Sequence, residues 1–238
     1  WKDLEDDRTY RPERPIPSGL ITLRFIIISA ILAGVLALLL AHNIYPLLLV
    51  PLFLVWFWLA LMTAEFFAPA WLKARPIVYL VTHMAIMPLI DLFITAAEWL
   101  PHGTNPPPGL WLFLALSFIN GCVLEIGRKI WAPVSERKGV ETYSALWGAK
   151  RAAYIWCAIC AAAWLLLCAL GWAVGALALI GGPGLLGLAA VIFTALRFIR
   201  THSPAHEKAI ETVAGLWVFI CYALAGFAPA LAQWWAGL

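Results

Sequence analysis

The sequence predicts an all-α protein, a polytopic transmembrane helical bundle with seven spans. Of its 238 residues 63% are hydrophobic and only 12% are charged, and its mean hydropathy is +0.88. Soluble domains contain about 45–50% apolar and about 25% charged residues, so a soluble core would not absorb this much apolar surface. The charged residues also crowd into short stretches between apolar runs, each near the length that crosses about 30 Å of hydrocarbon.

Seven apolar runs define the predicted spans. They cover residues 20–42, 45–64, 76–100, 108–127, 150–171, 174–197 and 208–236. Pro88 is expected to bend the third span. In the sixth span the segment 181–184, Gly-Gly-Pro-Gly, is either a kink or the start of a helix with proline in its first turn. All five cysteines lie inside apolar runs and are interpreted as packing residues.

The positions of the lysines and arginines test this count of spans. All 16 fall in the N-terminal segment up to Arg24 and in the loops 65–75, 128–151 and 197–208. With seven spans these four segments share one side of the membrane. The opposite loops and the C-terminal end carry no lysine or arginine. The positive-inside rule then places the basic side in the cytoplasm, and we expect a multi-pass protein of the bacterial inner membrane.

An acidic cluster opens the chain. If its first residues are helical, Asp3, Asp6, Asp7 and Tyr10 lie on one face at i,i+3 and i,i+4 spacing. Clustered carboxylates repel one another unless a cation joins them, and a few hard oxygen ligands suit Mg²⁺ shared with substrate phosphates. The alternative is a solvated acidic loop that is neutralised by its own arginines.

The residues that follow carry a family resemblance. The run DLEDD, with RPERPIPSGLIT after it, resembles the first conserved motif of the UbiA superfamily of intramembrane prenyltransferases, NDxxDxxxD followed by RPxxSGxI. Asp3 and Asp7 match the second and third aspartates of that motif, and Arg14 and Ser18-Gly19 match its tail. The opening Asn-Asp pair of the motif would fall immediately before Trp1.

The resemblance also implies a topology. Members of the superfamily have nine helices with this motif after the second, so the seven spans here would correspond to helices 3–9. We therefore expect about two helices, ending in the start of the motif, before Trp1. Residues 1–238 are then one prenyltransferase-like domain that is incomplete at its N-terminus.

The loop after the fourth span resembles the second motif of the superfamily. The stretch 139–142, Gly-Val-Glu-Thr, matches its GVxT-like part, whereas Glu125 and Glu136 stand where aspartates are usual and the basic pair Arg128 and Lys129 lies between them. The altered acids weaken the prediction of a second metal site made only of carboxylates.

Along the fourth span Ser117, Asn120, Glu125 and Arg128 form a polar stripe at helical spacing. Polar groups at that depth normally face a cavity or the bundle interior. We predict that Glu125 is the carboxylate ligand of a second metal and that Arg128, Lys129 and Arg14 contact diphosphate oxygens. The alternative is a pair of cationic anchors at the membrane surface with an intrahelical Glu125–Lys129 pair.

The third span supplies two candidate catalytic residues, Asp91 and His83. An ionised carboxylate near mid-membrane costs about 2.5–3.5 kcal/mol on insertion scales, so Asp91 should be protonated, paired or facing a watery cavity. Either residue is a candidate to position an acceptor or to take its proton. The alternative for Asp91 is a neutral side chain hydrogen-bonded to a neighbouring helix, and His83 has a similar one.

The resemblance implies an Mg²⁺-dependent prenyltransferase that moves an isoprenoid chain from a prenyl diphosphate to an aromatic or other lipophilic acceptor through a carbocation-like intermediate. Two alternatives stay open, a terpene cyclase of the same superfamily and a non-catalytic membrane protein that kept the fold. The expected partners are the prenyl diphosphate, the acceptor and membrane lipid, and no nucleic acid. Acceptor, chain length and oligomeric state do not follow from these residues.

Overall fold

The computed structural model describes residues 4–236, which contain helices and no β-strand. A short helix, α1 (Leu4–Tyr10), precedes the spans. In chain order the other helices are α2 (Leu23–Ile44), α3 (Leu49–Thr63), α4 (Pro69–Lys73), α5 (Pro76–Met84), α6 (Ile86–Trp99), α7 (Leu110–Gly127), α8 (Tyr143–Trp147), α9 (Ala149–Ala173), α10 (Leu177–Thr201) and α11 (Pro204–Ala236). Short 3-10 turns cover Pro46–Leu48 and Glu65–Phe67.

Seven helical segments within residues 4–236 are long and apolar enough to cross a membrane, as predicted. They are Leu23–Ile44, Pro46–Thr63, Pro76–Trp99, Leu110–Gly127, Ala149–Ala173, Leu177–Thr201 and Pro204–Trp235. The protein is therefore an integral multi-pass membrane protein. The largest differences from the predicted bounds lie around the predicted 197–208 loop, because α10 and α11 extend past the apolar runs until only His202 and Ser203 separate them.

The third span, expected to bend at Pro88, is interrupted three residues before that proline. The helix is interrupted at Ala85, between α5 and α6. Proline has no N–H to donate to the carbonyl four residues earlier, here that of Met84, and its ring clashes with that carbonyl. The interruption separates the helix that carries His83 from the helix that carries Asp91.

In the sixth span the Gly-Gly-Pro-Gly segment is not the start of the helix. Helix α10 begins earlier, at Leu177, and runs through Pro183 without interruption. Close packing explains Gly184, because a Cβ on it would lie 3.0 Å from Leu167 and 3.2 Å from Trp164 of α9. The Trp164 indole N–H also donates to the Gly181 carbonyl at 3.1 Å, which holds α9 and α10 together.

The chain divides into two compact units. Unit 1 comprises residues up to 75 together with 92–106 and 137–140, and unit 2 comprises the remainder. Unit 1 has a small core around Ala41, Leu48, Leu52 and Ala96, and α2 buries only Ala41. An almost wholly exposed apolar helix suits contact with lipid tails, where an apolar surface carries no penalty.

Unit 2 holds the larger core. Helices α7, α9, α10 and α11 pack together there around fully buried residues such as Trp156, Phe198, Ile210 and Trp217. More than half of the residues of α7 are buried, so close packing holds the polar groups on this helix in place.

Candidate functional site

The acidic cluster of unit 1 is organised by a turn that follows α1. The Arg11 N–H donates to the Asp7 carbonyl at 2.8 Å and the Arg14 N–H donates to the Arg11 carbonyl at 3.1 Å, so the chain folds back after the helix. Arg14 Nη1 then donates to both carboxylate oxygens of Asp7, at 2.9 and 2.8 Å. The predicted metal ligand and the predicted diphosphate contact are therefore paired with each other. The alternative of neutralisation by local arginines describes this contact.

In unit 2 the C-terminal end of α7 carries the second cluster. Glu125 accepts from Arg128 Nε at 3.0 Å and from Lys129 Nζ at 2.9 Å. The intrahelical Glu125–Lys129 pair, expected under the surface-anchor alternative, is present. Partly exposed ion pairs of this kind contribute about 1 kcal/mol or less, so a multiply charged ligand can displace Glu125 from the two cations.

Close helix packing fixes this end of α7. The Trp156 indole N–H of α9 donates to the Val123 carbonyl at 3.0 Å. A Cβ on Gly127 would lie 2.7 Å from the Ala214 Cβ of α11 and 3.0 Å from Trp156 Nε1, so only glycine allows this approach. The backbone of α7 is therefore held at Val123 and at Gly127, on either side of Glu125 in the sequence.

The loop after α7 is held by Glu207, which the sequence did not single out, and by two residues of the second motif. Glu207, in the first turn of α11, accepts from the Ala132 N–H at 2.8 Å. Thr142 donates to both carboxylate oxygens of Glu136 at 2.8 Å and accepts from the Ala145 N–H, which makes it the N-cap of α8. In the described structure Glu136 and Thr142 of the second motif thus stabilise the loop.

Tyr143 was also missed by sequence reasoning. Its backbone N–H donates to the Lys129 carbonyl at 3.0 Å, and its side chain is buried. Burial raises the pKa of the Tyr143 hydroxyl well above its usual range, and the negative charge of Glu125 raises it further. This side chain stays protonated at neutral pH beside the Glu125 cluster. The effect of the Glu125 charge on the pKa of Tyr143 shows that the two residues are close. Their spacing in the sequence does not predict this proximity.

The tip of the same loop, residues 137–140, belongs to unit 1 and contacts the first motif there. Arg137 Nη1 donates to Glu13 Oε1 at 3.0 Å. Gly139 has φ +83°, and a Cβ on it would lie 2.6 Å from the ring of Tyr10. The pKa of Glu13 is lowered by a hydrogen bond from its own backbone N–H and by the Arg137 guanidinium.

Deeper in unit 2, three helices meet at a group of polar side chains. The Tyr222 hydroxyl of α11 donates to Asp91 Oδ2 of α6 at 2.6 Å and lies 3.0 Å from Ser117 Oγ of α7. A phenol has one proton, so Ser117 donates to the Tyr222 oxygen. The hydrogen bond between Asp91 and a neighbouring helix, left open as an alternative, is present. Tyr222 was not singled out from the sequence.

Asn120 lies one helical turn from Ser117 and is 1% exposed. Neither its amide nitrogen nor its amide oxygen has a hydrogen-bond partner among the described residues. The Cys221 thiol of α11 lies beside it, but a thiol is only a weak donor and acceptor and does not satisfy an amide. Leaving such a group without a partner costs about 1–3 kcal/mol, so Asn120 needs an explanation.

His83 lies one turn from Tyr79 in α5. Its Nδ1 is 2.9 Å from the Tyr79 carbonyl, and the two rings stack with centroids 3.9 Å apart. A carbonyl only accepts, so Nδ1 carries the proton in this bond and Nε2 is the acceptor of the neutral ring. His83 and Asp91 lie on different helices on either side of the Ala85 break.

The carboxylates predicted to bind Mg²⁺ fit a shared ion better than a closed metal site. No three or more His, Cys, Asp or Glu side chains in the described part of the chain group to hold a metal ion. Asp7 and Glu125 are hard oxygen donors, and Mg²⁺ in phosphate-handling sites uses only one or two carboxylates plus substrate oxygens and water. Asp3 lies outside the described residues, as does the side chain of Asp6.

The structure thus brings the predicted residues together in two local sets. Asp7 contacts Arg14 in unit 1, and Glu125 contacts Arg128 and Lys129 in unit 2. Sequence spacing predicted the second set, because i,i+3 and i,i+4 positions are neighbours on a helix. Asp91 and His83 belong to neither set.

Residues 1–213 match the model of the UbiA prenyltransferase family. The match includes both charged clusters, Asp91 and His83. No match was found among the curated proteins or among the solved structures.

Proposed function

The chain belongs to the UbiA prenyltransferase family, and we propose on this basis that it is an Mg²⁺-dependent intramembrane prenyltransferase. In this proposal it moves an isoprenoid chain from a prenyl diphosphate to an aromatic or other lipophilic acceptor. The observation that carries the proposal is a family match of 213 residues that includes two clusters in which acids and cations lie at hydrogen-bond distance. The basic loops face the cytoplasm in this proposal.

Each cluster would contact diphosphate oxygens through its own cationic side chains. Arg14, Arg128 and Lys129 each donate to a carboxylate oxygen at 2.8–3.0 Å, the same contact that they would make with a diphosphate oxygen. On binding, the diphosphate replaces Glu125 as the partner of Arg128 and Lys129. This exchange frees Glu125. Asp7 is freed in the same way when Arg14 binds a diphosphate oxygen in its place.

The freed carboxylates have the chemistry for Mg²⁺. Asp3 and Asp7 would hold one ion, and Glu125 would contribute to a second. When bound, Mg²⁺ neutralises the charge that develops on the departing diphosphate.

The reaction breaks the bond between the allylic carbon and the diphosphate oxygen, and the electron pair leaves with the diphosphate. The allylic carbon becomes carbocation-like and forms a bond to the acceptor, which loses a proton. Asp91 and His83 are the candidate residues to position the acceptor or take that proton. The apolar core of unit 2, with Phe113 at the edge of the Tyr222 ring, would keep water from the cation.

A direct assay tests the proposed function. Membranes that contain the protein are incubated with geranyl, farnesyl and geranylgeranyl diphosphate and a set of phenolic, quinone-ring, sugar phosphate and lipid acceptors, with Mg²⁺ or with EDTA. Mass spectrometry should detect a prenylated acceptor and diphosphate release only with Mg²⁺. A cyclic hydrocarbon formed without acceptor would identify a cyclase, and no Mg²⁺-dependent product with any pair would contradict the proposal.

The residue-level prediction concerns Asp7. Asp7→Asn should lower the rate of prenyl transfer at least about 100-fold, or about 2.7 kcal/mol of transition-state stabilisation, because the amide is a poor ligand for Mg²⁺. Glu5→Gln is the matched control, since Glu5 is an exposed acid on the same helix at a variable position of the motif. Equal losses in both variants, or a normal rate in Asp7→Asn, would remove Asp7 from the proposed metal site.

A further inference from the structure

The amide of Asn120 lies buried in unit 2. It is 1% exposed, within an apolar bundle, and neither of its polar atoms has a hydrogen-bond partner in the described structure. Native interiors rarely retain such a group unless a ligand, a water molecule or a function accounts for it. A leucine at this position would fill similar space without the cost of a buried, unsatisfied amide.

The neighbours of Asn120 are polar as well. Ser117 lies one turn away on the same helix, and its Oγ is 3.0 Å from the Tyr222 hydroxyl. That hydroxyl donates to Asp91 at 2.6 Å. Tyr222 is half-buried, whereas Ser117 and Asn120 are fully enclosed. We name these four residues the mid-span pocket.

The depth of the mid-span pocket suits the acceptor. Asn120 precedes Glu125 by five residues, which is about 7.5 Å along the helix axis at 1.5 Å per residue. Five residues also turn the helix about 140° beyond one full turn, so a group at Asn120 lies on a different face of α7 and is not among the ligands of a diphosphate held at Glu125.

Two flexible side chains pack against α7 next to Asn120. Gly121, next to Asn120, packs against Met84 and Met87: a Cβ on it would lie 3.1 Å from the Met84 sulfur and 3.0 Å from Met87 Cγ. Methionine is unbranched and changes rotamer easily, so a ligand can displace these two side chains without movement of the backbone.

The charge of the mid-span pocket restricts what it binds. Its side chains are an amide, two hydroxyls and a carboxylate, and none of the four brings a positive charge. An anionic group would meet the Asp91 carboxylate and no cation among them. A neutral hydroxyl, which both donates and accepts, matches the amide oxygen and nitrogen of Asn120.

We propose that the mid-span pocket binds the neutral hydroxyl of a lipophilic acceptor through Asn120, and that it disfavours acceptors whose polar group is a carboxylate or phosphate. The identification of the bound molecule as a prenyl acceptor rests on the proposed function. The binding site itself rests only on the side chains of unit 2.

Equilibrium binding tests the pocket independently of turnover. The purified protein is unfolded by heat in detergent with 4-hexylphenol, which carries a neutral hydroxyl, or with 4-hexylbenzoate, its anionic counterpart. The phenol should raise the Tm by about 3 °C or more and the benzoate by less than about 1 °C. Asn120→Leu should abolish the phenol-dependent shift and have a baseline Tm at or above that of the wild type, because an unsatisfied amide has been removed.

Asn43→Leu is the matched control, because Asn43 is exposed and its amide donates to the Leu39 carbonyl at 2.7 Å. It should retain the phenol shift. Tyr222→Phe, which removes one hydroxyl without changing volume, should reduce the shift and covers the case in which Asn120→Leu does not fold. In the prenyl transfer assay Asn120→Leu should raise the acceptor KM at least tenfold and leave the KM for prenyl diphosphate within twofold.

Three results would overturn the proposal. Equal shifts with phenol and benzoate would remove the selectivity for a neutral group. A shift that survives in Asn120→Leu and in Tyr222→Phe would move the binding elsewhere. A lower baseline Tm in Asn120→Leu would assign the amide to a structural hydrogen bond with buried water. Each leaves Mg²⁺-dependent prenyl transfer untouched, whereas absence of transfer with the phenol shift intact would contradict the proposed function alone.

Discussion

The two charged clusters differ in the number of cations that each carboxylate holds. In unit 1 Asp7 pairs with one cation of the described residues, Arg14, and residues 1–14 of the sequence contain five acids and four bases. In unit 2 Glu125 is shared by two cations, Arg128 and Lys129. The first cluster lies in a stretch with excess negative charge, and the second carries excess positive charge.

Under the proposed function, this difference in charge predicts which ligand each cluster favours. An acidic stretch attracts a metal cation, whereas a carboxylate with two cations attracts an anion that can replace it. The altered acids of the second motif thus have a physical consequence, since Glu125 is already engaged by the positive charge that a diphosphate would need. The backbones differ too: a turn holds the first pair, and a buried helix end holds the second.

The largest expected effect in this comparison follows removal of the two cations of unit 2. Arg128→Ala combined with Lys129→Ala should raise the KM for prenyl diphosphate about 100-fold, because each charge-assisted contact is assigned about 1.4 kcal/mol. Steady-state kinetics in nanodiscs measures it. Lys138→Ala, an exposed lysine of the same loop, is the control and should change KM less than twofold. An equal increase with Arg14→Ala alone would break the distinction between the clusters.

A smaller effect is expected at the tip of the loop in unit 1. Gly139→Ala should lower the Tm more than Gly148→Ala, although both glycines have φ near +80°. Nothing lies within 4 Å of a Cβ on Gly148, so that variant has only the backbone strain, about 1–3 kcal/mol at φ 82° and ψ 141°. A Cβ on Gly139 also meets the Tyr10 ring. Tyr10→Ala in the Gly139→Ala background should reduce the loss to that of Gly148→Ala; no recovery would show that the contact is not the cause.

The smallest effect is the pH dependence of the Glu13–Arg137 contact. The folded-state pKa of Glu13 is lowered from 4.5 by its own backbone N–H and by Arg137. The contribution to stability is therefore fully present above pH 4.5 and disappears as the pH falls through the lowered folded-state value. The Tm difference between wild type and Glu13→Gln should shrink to zero between about pH 5 and pH 3. A difference that grows on acidification would contradict the sign of this shift.

Local sequence signals predicted much of the fold and part of the site. The number of spans follows from apolar length, and the break at Ala85 follows from Pro88, because both depend on residues close in the chain. The Glu125–Lys129 pair was predictable for the same reason. The uninterrupted course of α10 through Pro183 was not, since the packing of Gly184 against Leu167 and Trp164 of α9 accompanies it.

Taken by itself, the sequence determined the helical class, the seven spans and the resemblance to the family. The tertiary structure decided which distant residues meet: Arg137 with Glu13, Glu207 with the Ala132 N–H, and Tyr222 with Asp91. The physical reason is that spacing along a helix specifies neighbours within it, whereas contacts between residues 75 or more positions apart depend on how the helices pack. The orphaned amide of Asn120 was visible only once that packing enclosed it.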